Sequence, residues 1–128
     1  MNRIVLTGLL YLGTPYLRNA PAFQADTFDC SSFTQYVFGA NGILLPRSSR
    51  QQFQKGQSVP LWKIQAGDLI FFKTKQRQDK SGIENIGHVA IYIGGTNLLH
   101  TYQEGKMVMI SPFHSYWKRM YVGAKRII

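Results

Sequence analysis

The sequence predicts an α+β domain: helices in the first half, packed on a mainly antiparallel sheet of five to six strands supplied by the second. Three observations lead there. After Cys30, apolar residues (Phe33, Val37, Phe38, with Tyr36 beside them) recur at helical spacing. Beyond residue 68 the pattern changes to short apolar runs bounded by turn residues, Asp68–Lys73 and His88–Ile93 among them. The chain also has 128 residues, 45 % of them apolar and 13 % aromatic, which suits one compact core over residues 1–128 and leaves no room for two.

Each element follows from local chemistry. Arg3 to Leu12 reads as a buried helix stopped at Gly13, just before Pro15. The same stretch has features of a signal peptide: Arg3, the apolar run Ile4 to Leu12, and Ala20-Pro21-Ala22 as a small-residue cleavage site. Its charge is minimal and the gap to Ala22 is long, so the helix is the preferred reading. That choice leaves any export signal upstream of the sequence. Asn19 to Asp29 lacks periodicity and reads as a surface loop. The helix begun at Cys30 runs to Gly39 or Gly42. A second short helix is expected over Arg50 to Lys55, capped by Ser48 or Ser49, burying Phe53 and stopped by Gly56. Strands are expected at Asp68–Lys73, His88–Ile93, Asn97–Tyr102, Met107–Ile110 and Met120–Ile127, with the polar segment Lys75–Ile86 as a loop. The Gly94-Gly95-Thr96 turn makes His88–Ile93 and Asn97–Tyr102 a hairpin, pairing residues whose numbers add to about 188 to 190.

Charge and cysteine usage narrow the function classes. Lys plus Arg is 15 and Asp plus Glu is 6, a formal charge of +9. Such a surface suits a polyanionic neighbour. Lys73, Lys75, Arg77 and Lys80 flank one loop, and Lys118, Arg119, Lys125 and Arg126 add to the same field. Nucleic acid is not the expected partner, because most aromatics fall in apolar runs such as Leu69–Phe72 rather than among the basic residues. No run of about 18 apolar residues is present to cross a membrane as a helix. Cys30 is the sole cysteine and so has no internal disulfide partner.

Cys30 stands where loop gives way to helix. Unpaired N–H groups and the macrodipole at a helix start favour a thiolate and can also hold an oxyanion. By position alone a buried structural cysteine is the plainer reading. His88 opens a strand, where an imidazole is rigidly placed as a general base for a thiol on a facing helix. His100 lies on the neighbouring strand and can orient that base. His114 follows Pro112-Phe113 and reads as a surface residue. A Cys/His/His zinc site is the competing use, disfavoured because the three are spread over 70 residues with no local ligand pair. Thiol–imidazole chemistry calls for no metal and no organic cofactor.

The blocks Gly13-Thr14-Pro15-Tyr16, Phe28-Asp29-Cys30-Ser31-Ser32-Phe33, Leu45-Pro46-Arg47-Ser48-Ser49, Ala66-Gly67-Asp68-Leu69-Ile70-Phe71-Phe72 and Gly87-His88-Val89-Ala90-Ile91-Tyr92, then His100, follow in this order. The chain in this respect resembles the NlpC-type cell-wall cysteine peptidases, a compact papain-like family, over roughly Ile4 to Ile127. The resemblance implies a nucleophile at Cys30, a base at His88 and an orienting residue at His100. It implies support of the thiolate or oxyanion by Tyr16 and substrate contacts from Asp29 and Ser31. Arg47 reads first as part of a helix entry and second as a contact for a substrate carboxylate. The implied substrate is the peptidoglycan stem peptide, cut between γ-D-glutamate and a diamino acid, by a monomer at the bacterial envelope or outside the cell. An anionic wall polymer is the further partner the basic surface suits.

Two departures stand out. Members commonly carry Trp-Gly-Gly after the Tyr16 position, where this chain has Leu17-Arg18-Asn19, and Gly where it has Ser32. The first bears on cleft shape and on the bond cut. It keeps two alternatives in play: an amidase or acyltransferase of the same fold acting on another acyl donor, and a non-catalytic basic binding module for wall polymer or nucleic acid.

Overall fold

The computed structural model describes residues 2–128. Helices α1 (Arg3–Leu9), α2 (Cys30–Gly39) and α3 (Ser49–Gln52) precede most of the sheet. The strands are β1 (Gln57–Val59), β2 (Leu69–Lys73), β3 (Ile86–Gly94), β4 (Asn97–His100), β5 (Met109–Pro112) and β6 (Tyr121–Arg126), with α4 (Tyr116–Met120) leading into β6. They form one sheet in the order β1-β6-β2-β3-β4-β5, and every neighbouring pair is antiparallel. The α+β layout and the six-stranded sheet are those the sequence predicts.

Both faces of the sheet are covered. Phe71, Val89, Ile91 and Leu99 pack with Ile4, Phe28, Phe33, Val37 and Phe38 of the helical layer. Ile70, Phe72, Ala90 and Leu98 pack on the other face with Phe113, Met120 and Ala124. This is why β2 and the centre of β3 are apolar at every position instead of alternating. His88 is the exception in β3, a buried imidazole beside Val89.

Several boundaries moved. The first helix ends at Leu9 rather than Leu12, because Gly13, at φ 88°, turns its N–H to the Val108 carbonyl at 2.9 Å and the chain leaves the helix axis before it. Helix α3 spans only Ser49–Gln52; Ser48 is its cap, in a reciprocal pair of bonds with Gln51. The strand expected at Met107–Ile110 lies at Met109–Pro112, since Met107 instead bridges Pro15. Pro112 is tolerated because β5 is an edge strand. Two elements were not expected at all: β1, a short polar edge strand, and α4, a stretch to which the sequence assigned no element before Met120.

Gln52 ties α3 to the start of α2. Its side chain accepts from Thr34 Oγ1 at 2.7 Å and donates to the carbonyls of Ser31 and Pro46 at 3.0 and 2.9 Å. The residue is fully buried. Thr34 Oγ1 also donates to the Ser31 carbonyl at 3.0 Å, so Gln52→Leu strips the last side-chain donor from the Pro46 carbonyl alone and is expected to lower stability by about 1–2 kcal/mol, read as a drop in the urea midpoint at unchanged slope.

Candidate active site

Asp29 sets the start of α2. One carboxylate oxygen accepts the Ser32 N–H at 2.9 Å, and Ser32 Oγ accepts the Asp29 N–H at 3.0 Å, a reciprocal cap. This places Cys30 in the first helical turn, half-buried, with Sγ 3.9 Å from the Gly87 carbonyl oxygen just before His88. Ser32, the departure from Gly, therefore completes the cap.

The histidines come from β3 and β4. Ile91 lies opposite Leu99 and Tyr92 opposite Leu98, within the expected register. Continued, that register sets His100 against Ala90, so His88 and His100 are diagonal neighbours. His88 Nε2 and His100 Nδ1 are 2.8 Å apart, and His100 Nε2 is 2.8 Å from Ser111 Oγ on β5. The chain of bonds can run in either direction; in one of the two, His88 Nε2–H donates to His100 Nδ1, and His100 Nε2–H donates to Ser111 Oγ. His88 Nδ1 is then the unprotonated nitrogen left for the cleft. These nitrogens are turned on one another rather than toward a common metal position.

A cleft of about 960 Å³ runs across the site, lined by Cys30, His88, Tyr16, Asp29, Ser31 and Arg47. The structure thus brings six of the seven expected residues to one surface. The seventh, His100, lies directly behind His88 with no exposure. Asp29, Ser31 and Arg47 are also bonded to one another: Arg47 donates to Asp29 Oδ2 at 2.7 Å, to Ser31 Oγ at 2.8 Å and to the Ala20 carbonyl at 2.7 Å. Arg18 and Asn19, from the segment that departs from Trp-Gly-Gly, line the same cleft, as do Gln103 and Glu104 opposite. Of the basic loop residues, Lys75 and Arg77 reach the cleft, and Arg77 is paired with Glu84 at 3.4 Å. Arg126 is engaged by Asp68 at 2.9 Å, so the expected basic field is partly neutralised by the carboxylates of Glu84 and Asp68, while the Lys125 ammonium lies over the Phe53 ring and keeps its charge.

Three residues at the site were missed in the sequence. Ser111 lies one residue beyond the strand expected there. Trp117 stacks on His88 with ring centroids 4.9 Å apart and planes at 28°. Tyr102 stands edge-on to the same imidazole at 6.1 Å. Alternation along β5 could have flagged Ser111 as inward-facing; nothing in the spacing singles out Trp117.

Burial governs the titration of the site. It pushes the Cys30 thiol up to about 11, with the Asp29 carboxylate adding to the effect; the Val89 and Ser31 backbone groups and Arg47 pull the other way. The lowered thiol pKa expected from the helix start is therefore outweighed by burial. Burial also drives His100 down to about 3 and, with His100 as neighbour, holds His88 well below the ordinary imidazole value. The resting pair is thus a neutral thiol and a neutral imidazole. The Tyr16 phenol is raised by burial first and then by Cys30 and Asp29, and stays protonated as a donor.

Comparison with known proteins identifies the family. The family model described as the NlpC/P60 family matches residues 13–126. A γ-D-glutamyl-L-lysine dipeptidyl-peptidase of Bacillus subtilis is 39 % identical over 107 residues, covering 84 % of this chain and 34 % of its own length. A murein DD-endopeptidase MepS/murein LD-carboxypeptidase of Escherichia coli is 35 % identical over 101 residues, 78 % of this chain and 50 % of that protein. Among solved structures, an NlpC/P60 family protein from Bacillus cereus superposes with a TM-score of 0.85 at 35 % identity, over 98 % of this chain and 39 % of that one. The chain spans a third to a half of the length of these relatives. It belongs to the NlpC/P60 family.

The depressed histidines make stability fall with acid. The unfolded chain, with ordinary imidazoles, takes up protons first as pH drops. Stability is whole above about pH 6.5 and is lost below it, by on the order of 2 kcal/mol at pH 5 from His100 alone. Melting temperatures between pH 5 and 8 should show this decline, and His100→Gln should flatten it.

Proposed function

We propose that this NlpC/P60 chain is a cysteine endopeptidase of peptidoglycan stem peptides, cutting between γ-D-glutamate and the following diamino acid. The observation that carries the reading is the His88–His100–Ser111 chain set beside Cys30 at the start of α2, with Cys30 and His88 on one cleft and His100 and Ser111 behind. The names of the relatives supply the substrate class, and the envelope or extracellular space follows as the place of action.

In the proposed reaction, Cys30 Sγ attacks the scissile carbonyl carbon as its proton passes to His88 Nδ1. A raised thiol and a depressed imidazole favour a transfer concerted with attack over an ion pair formed beforehand. His88 Nε2–H remains donated to His100 throughout, so the imidazolium forms without the ring turning. The Cys30 N–H at the helix start and the Tyr16 hydroxyl are the donors assigned to the oxyanion. Collapse expels the amine, which takes its proton from His88. A water, deprotonated by the same nitrogen, then hydrolyses the thioester. Asp29 and Ser31, held by Arg47 against the cleft wall, are assigned to the amine and backbone of the acyl portion. Their mutual bonds make Arg47 first a support for that wall. The chain acts as a single domain and as a monomer in this reading, and the exposed lysines serve attraction to an anionic wall polymer.

The test uses a defined L-Ala-γ-D-Glu-diamino-acid peptide with products read by mass spectrometry. The parent is expected to cleave after γ-D-Glu, while Cys30→Ala and His88→Ala lose at least about 1,000-fold. His100→Ala is expected to lose about 10- to 100-fold, since the base persists with its tautomer unfixed. An intact peptide beside rapid alkylation of Cys30 would move the reading to an amidase or acyltransferase.

A further inference from the structure

We infer that Trp117 is a positioning residue for the histidine pair: its indole fixes the plane of His88 and keeps water off the His88–His100 hydrogen bond. The inference rests on the proposed role of His88 as base.

The indole is the one ring that meets every aromatic group around this bond. It stacks on His88 at 4.9 Å and 28°, and stands edge-on to His100 at 4.9 Å and 74°. It also meets Tyr102 at 5.2 Å and Phe72 at 5.1 Å. Trp117 lines the cleft and is itself half-exposed, whereas His88 is 4 % exposed and His100 not at all. With Tyr102, which also lines the cleft and meets both rings, it forms the layer between solvent and the two imidazoles, and it is the member stacked face to face on His88. Its helix, α4, is entered through Ser115 at φ 48°, a left-handed backbone for a non-glycine residue. Such a conformation persists only where surrounding packing holds it. Tyr116 supports the indole from behind at 5.0 Å.

Two consequences follow for His88. Excluding water keeps the resting imidazole neutral and able to accept a proton. The π face then lies against the ring when it becomes cationic, where a positive charge is favoured. Around His88, β2 presents Phe72, β4 presents His100, α4 presents Trp117, Tyr102 follows β4, and α2 brings the Cys30 thiol to the carbonyl just before it. His100 is the titratable neighbour that acts on it, beside burial itself. The charged groups Asp29, Arg47, Arg50, Lys75 and Glu104 stand along the cleft.

The test compares Trp117→Ala and Trp117→Phe with the parent. It reads kcat/KM on the stem peptide from pH 5 to 8 and follows the His88 titration by NMR. Trp117→Ala is expected to lose about 10-fold at neutral pH. Its acid limb, and the His88 titration, should move up toward 6.5 as water reaches the ring, so the loss deepens at pH 5.5. Trp117→Phe should restore both. An unshifted limb and titration in Trp117→Ala overturn the inference whatever the loss in rate, as does a Phe variant no better than Ala. Should Trp117→Ala not fold, Trp117→Leu is read in its place. If no stem peptide is cut, the proposed reaction fails, and the imidazole titration still decides the role of Trp117.

Discussion

The hydrogen bond between His88 and His100 is the constraint on which the rest of this site depends. It is 2.8 Å long and buried, between side chains that are diagonal neighbours on adjacent strands. Slipping β4 by one residue would turn His100 to the opposite face of the sheet and leave His88 Nε2 without a partner. The Gly94-Gly95-Thr96 turn that sets this register, with all three residues at φ of 60° or more, is therefore as much a part of the site as the imidazoles. Ser111 on β5 extends the same dependence to a third strand. An imidazole buried with one nitrogen unsatisfied would cost stability, and the serine hydroxyl, able to donate or accept, removes that cost.

The opposite wall obeys a different rule. There the groups are charged, and they are held by satisfaction rather than by burial alone. Asp29 caps α2 with one oxygen and meets Arg47 with the other; Arg47 reaches Ser31 and the Ala20 carbonyl; Gln52 secures the Ser31 carbonyl from behind. Every member has a partner, so the wall is rigid before any substrate arrives. A dry, aromatic-lined base faces a polar wall of fixed charge, with Cys30 at the seam. That contrast sets a depressed imidazole and the Arg47–Asp29 salt bridge on one cleft.

Much of this was legible in the sequence because the decisive signals are local. Asp29-Cys30-Ser31 before an apolar helical pattern marks a capped helix start, and Gly94-Gly95 between two apolar runs marks a hairpin. Together they put Cys30, His88 and His100 in the same region. What was not legible depends on contacts distant in sequence. The cap of α3 was legible at Ser48, but its end was not: Gln52 is tied to α2 rather than continuing a helix toward Lys55. Helix α4 is held by packing on Phe72, the histidines and Tyr102, and nothing in Tyr116–Met120 announces it. The thiol pKa was misjudged for the same reason: the helix start is a local feature, whereas the burial that outweighs it is a property of the assembled cleft.

The two layers meet at Gly87. Its carbonyl approaches Cys30 Sγ, and a Cβ at its position would fall 2.2 Å from Thr74 Oγ1, so no side chain fits between β3 and the turn beyond β2. The residue before His88 must therefore lack a side chain for β3 to lie against Thr74. With the nucleophile candidate on the helical layer and the base candidate on the sheet, their separation is set by how tightly those layers pack, not by any bond between the two side chains. The apolar contacts of Phe33, Val37 and Phe71 that hold α2 on the sheet thus do for Cys30 and His88 what the register of β3 and β4 does for the two histidines. Core packing and site geometry are one problem here, solved by the same residues.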